Sequence, residues 1–502
     1  MSLRRNVIAN YFGQGWTALM GLAFIPLYIR YLGIEAYGLI GIFALLQAWL
    51  SLLDLGLTPA ISREMARFTG GGHDPQSIRD LLRSVEIATL TIAALIAVGI
   101  WLSSGWLAAT WLHAEKLPID VVAQALTVMG MVVALRAIEN VYRGSIIGLQ
   151  RQVTLNVITS VMATVRGVGA VVVLAGVSPT IAAFFAWQGI VSATNVCLLA
   201  VLVRRSLPAA THPSRLSLEP LRSIWRFAAG TLLITLLGFM LSQSDKVILS
   251  SMLSLSAFAV YSIAYSVANM VRVLAQPIDL AVFPRLTQLY QAGDQAGLAG
   301  LYHRATQYNS VFMGGVGLFL AVFGHEVLAL WMQDAALAAA TYAVLWILVI
   351  GMVLNGTMNT PYSMQLAAGW TNLLVKTNAV MVVLFVPTIY LLTQRFNMTG
   401  AAVAWVLINV AYVLVVVQLM HRRLLTGELR AWYTKDLLMP LSAGGVTALV
   451  LRAVTPAQAD PVPMVLFLGL ALASILAASA LAAAYVRSAL TSQVRLILGR
   501  AP

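Results

Sequence analysis

The chain has 502 residues, of which 60% are hydrophobic and 10% charged, with a mean hydropathy of +0.86 and a formal net charge of +13. Soluble globular chains carry about 25% charged residues, so a soluble enzyme or a nucleic-acid-binding domain is excluded, and the basic excess reads as loops at a membrane surface. Apolar runs of about 20 residues recur from end to end and are continuous rather than alternating, which predicts membrane-spanning helices and not a barrel.

Taken in order, fourteen segments have the length and polarity of a membrane span: 6–32, 36–61, 84–109, 118–147, 152–176, 179–203, 222–244, 256–284, 305–324, 336–364, 373–394, 398–420, 437–454 and 462–486. Arg4 and Arg5 precede an apolar segment too long for a signal-peptide core, so the first segment reads as a retained helix. Pro26, Pro277, Pro361 and Pro387 fall inside segments and predict kinks. Cys197 is the single cysteine, which excludes a disulfide framework and a thiolate metal site. The six histidines are scattered, and no metal site is expected.

The loops sort the charge. With the N-terminus placed in the cytoplasm, 23 of the 31 basic residues fall on the cytoplasmic side and five on the other: Arg30, Lys116, Lys246, Arg395 and Arg452. The remaining three, Arg136, Arg166 and Arg272, lie within spans. That asymmetry predicts a multi-pass protein with both termini inside. No loop is long enough for a catalytic domain, and no GxxxxGK[ST], HExxH, GxSxG or CxxC motif is present. Neither a cofactor nor a catalytic residue is expected. Trp101, Trp106, Trp111, Trp331, Tyr28, Tyr31 and Tyr37 are expected in the outer aromatic belt, and Asp245 with Lys246 as an interfacial pair.

The stretch from Ile25 to Phe68 reads as a membrane hairpin: an apolar segment, a polar break at Gly33–Ala36, and a second segment closing on Arg63. A weak second copy follows. Asp54-Leu-Gly-Leu-Thr-Pro-Ala-Ile-Ser-Arg63 aligns with Gln276-Pro-Ile-Asp-Leu-Ala-Val-Phe-Pro-Arg285, an offset of about 222 residues. An offset of six helices predicts two parallel repeats, an arrangement known in transporters.

The run YIRYLGIEAYGLIGIFALLQAWLSLLDLGLTPAISREMARF resembles the polysaccharide (O-antigen type) flippases of the multidrug/oligosaccharidyl-lipid/polysaccharide exporter superfamily, and SDKVILSSMLSLSAFAVYSIAYSVANM resembles the start of their second lobe. The resemblance covers roughly residues 6 to 420. It implies an all-α polytopic membrane protein with two parallel six-helix lobes forming a V, residues 1–210 and 211–425, and here an extra helix pair with a cytoplasmic tail at 426–502. It further implies a flippase, not an enzyme, moving polyprenyl-pyrophosphate-linked oligosaccharide from the cytoplasmic to the outer leaflet of the inner membrane for cell-surface polysaccharide biosynthesis. The implied partners are that lipid-linked sugar, membrane lipids, and the polysaccharide polymerase with its chain-length machinery. The chain is expected to be a monomer. Alternatives are a peptidoglycan-precursor flippase or a cation-coupled multidrug antiporter of the same superfamily, and, from another class, a membrane glycosyl polymerase or ligase.

An ionised side chain at mid-bilayer costs at least about 2.5 kcal/mol, so a buried charge there marks function by default. Arg272 and Arg166 lie deep in their spans, while Arg136, Glu139, Asn140 and Arg143 share one face of the fourth segment at i, i+3, i+4 and i+7. Arg272, Arg136, Arg166, Arg143, Asn140 and Asn269 are the expected lining of a pyrophosphate and sugar cavity, arginine being suited to bidentate phosphate contact. Asp54, Asp279, Glu86 and Glu139 are the expected ion-coupling or gating carboxylates. The competing reading pairs these charges with one another, for example Arg136 with Glu139, Arg272 with Asp279, or Asp54 with Arg272.

Overall fold

The computed structural model describes residues 3–53, 57–72, 74–208, 212, 236–456 and 460–497, with the side chains of 3–12, 51, 53, 274–277, 279–280 and 493–497 outside the description. Among the described residues the chain is helical throughout, apart from one isolated bridge between His113 and Ser254. Nine helical runs there are long and apolar enough to cross a membrane. The protein is an all-α polytopic membrane protein.

The chain divides into two units, Met1–Ala259 and Val260–Pro502. The first contains α1 (Leu3–Ala23), α2 (Ile25–Leu32), α3 (Ile34–Leu53), α4 (Leu57–Thr69), α5 (Pro75–Trp106), α6 (Ile119–Gly148), α7 (Gln152–Gly176), α8 (Ile181–Ser206) and α9 (236–252). Helix α10 (Leu255–Gln291) opens at the end of this unit. The starts of α3 and α10 match the expected offset of the repeat to within a residue.

Local chemistry sets the starts. Asp74 Oδ2 accepts from the backbone N–H of Gln76 and Ser77, each at 3.1 Å, with Pro75 in the first turn of α5. Thr180 caps α8 in the same way. The α5–α6 loop is pinned by Glu35, whose carboxylate accepts from the N–H groups of Glu115 at 2.6 Å and Lys116 at 2.9 Å.

Helix α6 is the pillar of the first unit. It packs against α3, α4, α5 and α8 around Ile61, Met65, Ile78, Leu81, Val85, Ile146, Leu199 and Val203. Its closest approach, to α4, is made by Gly144 and Gly148: a Cβ at Gly144 would lie 2.7 Å from the Thr58 carbonyl oxygen, and one at Gly148 would lie 2.3 Å from that of Ser62. The four-residue spacing of small residues is the usual device for close helix contact in lipid.

The second unit continues through α11 (Gln295–Asn309), α12 (Gly315–Met332), α13 (Ala335–Thr357), α14 (Asn359–Ala367), α15 (Thr371–Ala411), α16 (Val417–Leu424), α17 (Leu429–Ala431), α18 (Met439–Ala453), α19 (Pro461–Ala482) and α20 (Ala484–Ile497). Asp294 and Asp334 cap α11 and α13. Helices α18 and α19 pack on each other and on α12, where Gly314 faces Leu441 and Gly444 faces Ser479. A π-helical stretch, Trp432–Leu438, joins α17 to α18.

Some expectations change in detail. Phe24 interrupts the first segment, so Pro26 lies in the first turn of α2, and the break before Pro361 falls at Met358. Pro387 lies inside α15, whose one non-helical residue is Asn397 (φ 51°), at the place expected between segments 373–394 and 398–420. A Cβ on Gly400 would meet the Leu392 carbonyl oxygen at 2.1 Å, so the chain doubles back there. Tyr28 and Tyr37 do not sit in the aromatic belt: both are buried, Tyr28 packing edge-on to Phe184 at 5.1 Å. Trp101 and Trp106 are exposed, as a belt requires. Asp245 and Lys246 form an ion pair at 3.3 Å, but both are buried rather than interfacial.

Candidate functional site

The first unit brings most of the predicted charges together. Arg136, Glu139, Asn140 and Arg143 project from α6 at helical spacing, and Arg166 comes from α7, which packs alongside. Arg143 pairs with Glu139 at 3.5 Å, and its Nη1 lies 3.4 Å from the Thr159 hydroxyl on α7. The expected Arg136–Glu139 pair is therefore replaced by Arg143–Glu139 as the direct ion pair, one helical turn apart.

Among the described residues Arg136 has no such partner. Its guanidinium lies 5.2 Å from the centre of the Phe43 ring, a cation–π contact. The Nε atoms of both Arg136 and Arg166 are buried with no hydrogen-bond partner among the described residues. Both arginines feel the opposite charge of Glu139 and the like charge of Arg143, and Arg136 also feels that of Arg166. Among the described residues, three guanidinium groups against one carboxylate leave an excess of two positive charges. A buried donor without an acceptor costs on the order of 1–3 kcal/mol, so these two donors are the candidate contacts for an anion.

A run of aromatic rings connects the two arginines. Phe43 packs on Phe185 at 5.2 Å, Phe185 on Phe184 at 5.2 Å, and Phe184 on Tyr28 at 5.1 Å. The Tyr28 hydroxyl donates to the carbonyl of Gly167, beside Arg166, at 3.4 Å. At one end this wall carries the Arg136 guanidinium, and at the other it reaches the backbone beside Arg166. Sequence reasoning missed Phe43, Phe184 and Phe185, since aromatic residues in apolar helices are unremarkable until paired with a charge.

Glu86 is committed elsewhere. Its carboxylate accepts from the Tyr142 hydroxyl at 2.8 Å and pairs with Arg204 at 3.3 Å and Arg83 at 3.5 Å. It ties α5, α6 and α8 together, and we assign it to structure rather than to ion coupling. Glu86→Leu is expected to cost about 1–3 kcal/mol by stranding the buried Tyr142 hydroxyl. Glu86→Gln, which keeps an acceptor there, is expected to cost less than about 1 kcal/mol because both arginines are half-exposed. Thermal unfolding in detergent checks the order of the three midpoints.

Arg272, on α10, is exposed, and its Nε donates to Asn269 Oδ1 at 3.1 Å on the same helix. It belongs to the second unit, described here by itself. Asp54 lies outside the described residues, as does the side chain of Asp279, so pairings of Arg272 with either are also outside. Among the described residues no cluster of metal-ligating side chains is present.

Residues 3–290 match the family described as polysaccharide biosynthesis protein. A Shigella flexneri protein described as an O-antigen transporter is 20% identical over 411 residues, which cover 81% of this chain and 94% of that one. Among solved structures, the lipid II flippase MurJ in an inward closed conformation is similar with a TM-score of 0.70 at 11% identity, covering 94% of this chain and 97% of MurJ. An inward-facing multidrug resistance MATE transporter of the MOP superfamily follows with a TM-score of 0.61 at 14% identity, covering 84% of this chain and 95% of its own. The fold is the one these transporters share.

Proposed function

Because the chain belongs to the polysaccharide biosynthesis protein family, we propose that it is a flippase for polyprenyl-pyrophosphate-linked oligosaccharide, carrying repeat units from the cytoplasmic to the outer leaflet of the inner membrane. The chain is O-antigen-transporter-like and is not an enzyme. The observation that carries the proposal is the pair of half-buried arginines, Arg136 and Arg166, whose buried Nε donors have no partner among the described residues.

A pyrophosphate diester brings roughly two negative charges, which match the excess of two positive charges around α6 and α7. Export of each charge from an inside-negative cell is favoured by about 2.3 kcal/mol per 100 mV. The potential can therefore drive the outward step once the head group is held. Asn140, half-buried on the same helix, is placed for the sugar, and Glu139 limits how tightly the anion binds. We also assign Arg272 and Asn269, on the second unit, to substrate contact, and Asp54 and Asp279 to gating. The termini, on this reading, are cytoplasmic, the lobes correspond to 1–210 and 211–425, and a polysaccharide polymerase receives the product.

The MurJ-like fold, which covers 94% of this chain against 84% for the MATE transporter, favours a peptidoglycan-precursor flippase as the second reading. Complementation separates them. The gene is expected to restore surface polysaccharide in a strain lacking its O-antigen or exopolysaccharide flippase, and not to restore growth in a strain depleted of its lipid II flippase. The reverse pattern would replace the first reading by the second.

A further inference from the structure

The second unit holds a titratable cluster that transport of a pyrophosphate does not use. His303, on α11, has a carboxylate on each ring nitrogen: Nδ1 forms a very short bond to Asp436 Oδ2, and Nε2 lies 3.0 Å from Glu428 Oε2. A neutral imidazole has one N–H and one lone pair, so it cannot donate to both. The arrangement is satisfied when the ring bears both protons, each in a charge-assisted bond.

The other Asp436 oxygen fixes where the mobile proton lies. Gln307 Nε2 donates to Asp436 Oδ1 at 2.9 Å, while Gln307 Oε1 accepts from the Tyr485 backbone N–H at 2.8 Å. The backbone donor sets the orientation of the amide, so Asp436 Oδ1 can only accept. A proton on Asp436 is therefore confined to Oδ2, on the line to His303. The cluster also has a direction. The side chain of Asp436 is 1% exposed, that of His303 9% and that of Glu428 39%.

The neighbouring titratable groups leave this proton to the three. His421 Nδ1 meets the Val417 carbonyl at 2.9 Å, which makes it the donor, and its Nε2 is buried without a partner. Its ring packs on Tyr302 and Trp432, and Tyr302 packs on His303. The Tyr433 hydroxyl donates to Val413, the Arg304 guanidinium lies over the Tyr485 ring, and Arg487 donates to the Leu481 carbonyl. Among the described residues, His303 is the one cation paired with Asp436 or Glu428.

We propose that His303, Asp436 and Glu428 form a proton-binding site, with Glu428 as its solvent-facing mouth, in which one bound proton clasps the C-terminal segments to α11. His303 joins α11 to Glu428, which precedes α17, and to Asp436, which leads into α18, while Gln307 joins it to Tyr485 at the start of α20. When the ring loses its second proton, a nitrogen lone pair faces a carboxylate and Asp436 is left buried without its counter-charge, so the clasp opens. Its contribution is present at lower pH and lost as pH rises.

The test is thermal unfolding of the full chain in nanodiscs from about pH 6 to about pH 9, across the ordinary histidine range. The wild-type midpoint is expected to fall by several degrees as pH rises. In Glu428→Gln the fall should begin at lower pH, and in His303→Gln it should vanish. Curves that run parallel in all three overturn the site. If His303→Gln does not fold, Glu428→Gln decides alone, and a curve superimposed on the wild type rejects the proposal. Because the readout is stability and not transport, failure here is distinguishable from failure of the flippase reading.

Discussion

Arg136→Ala is expected to reduce export of lipid-linked oligosaccharide by about 10- to 100-fold while leaving the protein folded. A hydrogen bond to a charged group is worth about 1.5–3 kcal/mol net, and each 1.4 kcal/mol is about tenfold. Among the described residues Arg136 makes no ion pair, its ring contact is with Phe43, and its Nε donor is unused. Removing it therefore deletes a binding group rather than a strut, and relieves repulsion from Arg166 and Arg143. Arg136→Lys keeps the charge but loses the forked geometry, and an intermediate rate is expected. Arg166→Ala should resemble Arg136→Ala, and the double variant should be less than additive because both hold one anion. The measurement is the leaflet distribution of labelled lipid-linked sugar in cells, with protein levels quantified alongside. A folded Arg136→Ala variant with wild-type distribution would remove the site.

Gly148→Leu is expected to be the most damaging single substitution in the first unit. Its Cβ would sit 2.3 Å from the Ser62 carbonyl oxygen and 2.6 Å from Met65 Cβ, and neither can yield without moving α4. Overpacking of this kind costs about 1–3 kcal/mol where side chains can adjust, and here the obstacle is backbone. Gly148→Ala, which still adds the Cβ, should lower the unfolding midpoint by less. Gly15→Ala, inside α1 where nothing lies within 4 Å of a Cβ, is the control and should not lower the midpoint. Equal midpoints for Gly148→Leu and the control would contradict the packing described for α4 and α6.

The extent to which the fold was legible varied by element, for physical reasons. The segment expected at 152–176 is helix Gln152–Gly176, and that at 118–147 is Ile119–Gly148. Long apolar runs bounded by turn residues leave little choice in lipid. The break at Asn397 was legible because the polar Arg395 and Asn397 interrupt such a run, and asparagine tolerates positive φ. The burial of Tyr28 and Tyr37 was not, since a tyrosine at a span end suits a membrane interface and a helix contact equally.

At the candidate site, the α6 face was visible from spacing alone, but which charge pairs with which was not. Glu139 could reach Arg136 or Arg143, and the choice of Arg143 depends on where α7 places Thr159 and Arg166. Glu86 looked like a coupling carboxylate until Tyr142 and Arg204, 56 and 118 residues away, closed around it. The histidine cluster was missed for the same reason. His303 and Gln307 are four apart on one helix, but the carboxylates they meet lie more than a hundred residues on.

The central claim is that the chain moves a pyrophosphate-linked oligosaccharide between leaflets, and reconstitution tests it most directly. Purified protein would be placed in vesicles containing labelled polyprenyl-pyrophosphate oligosaccharide in both leaflets, with an impermeant enzyme cleaving whatever reaches the outside. The account predicts that wild-type protein allows nearly all the substrate to be cleaved, faster under a potential negative at the donor face, and that Arg136→Ala protein leaves the inner pool protected. Protection equal to that of protein-free vesicles, with wild-type protein shown to be folded, would contradict it.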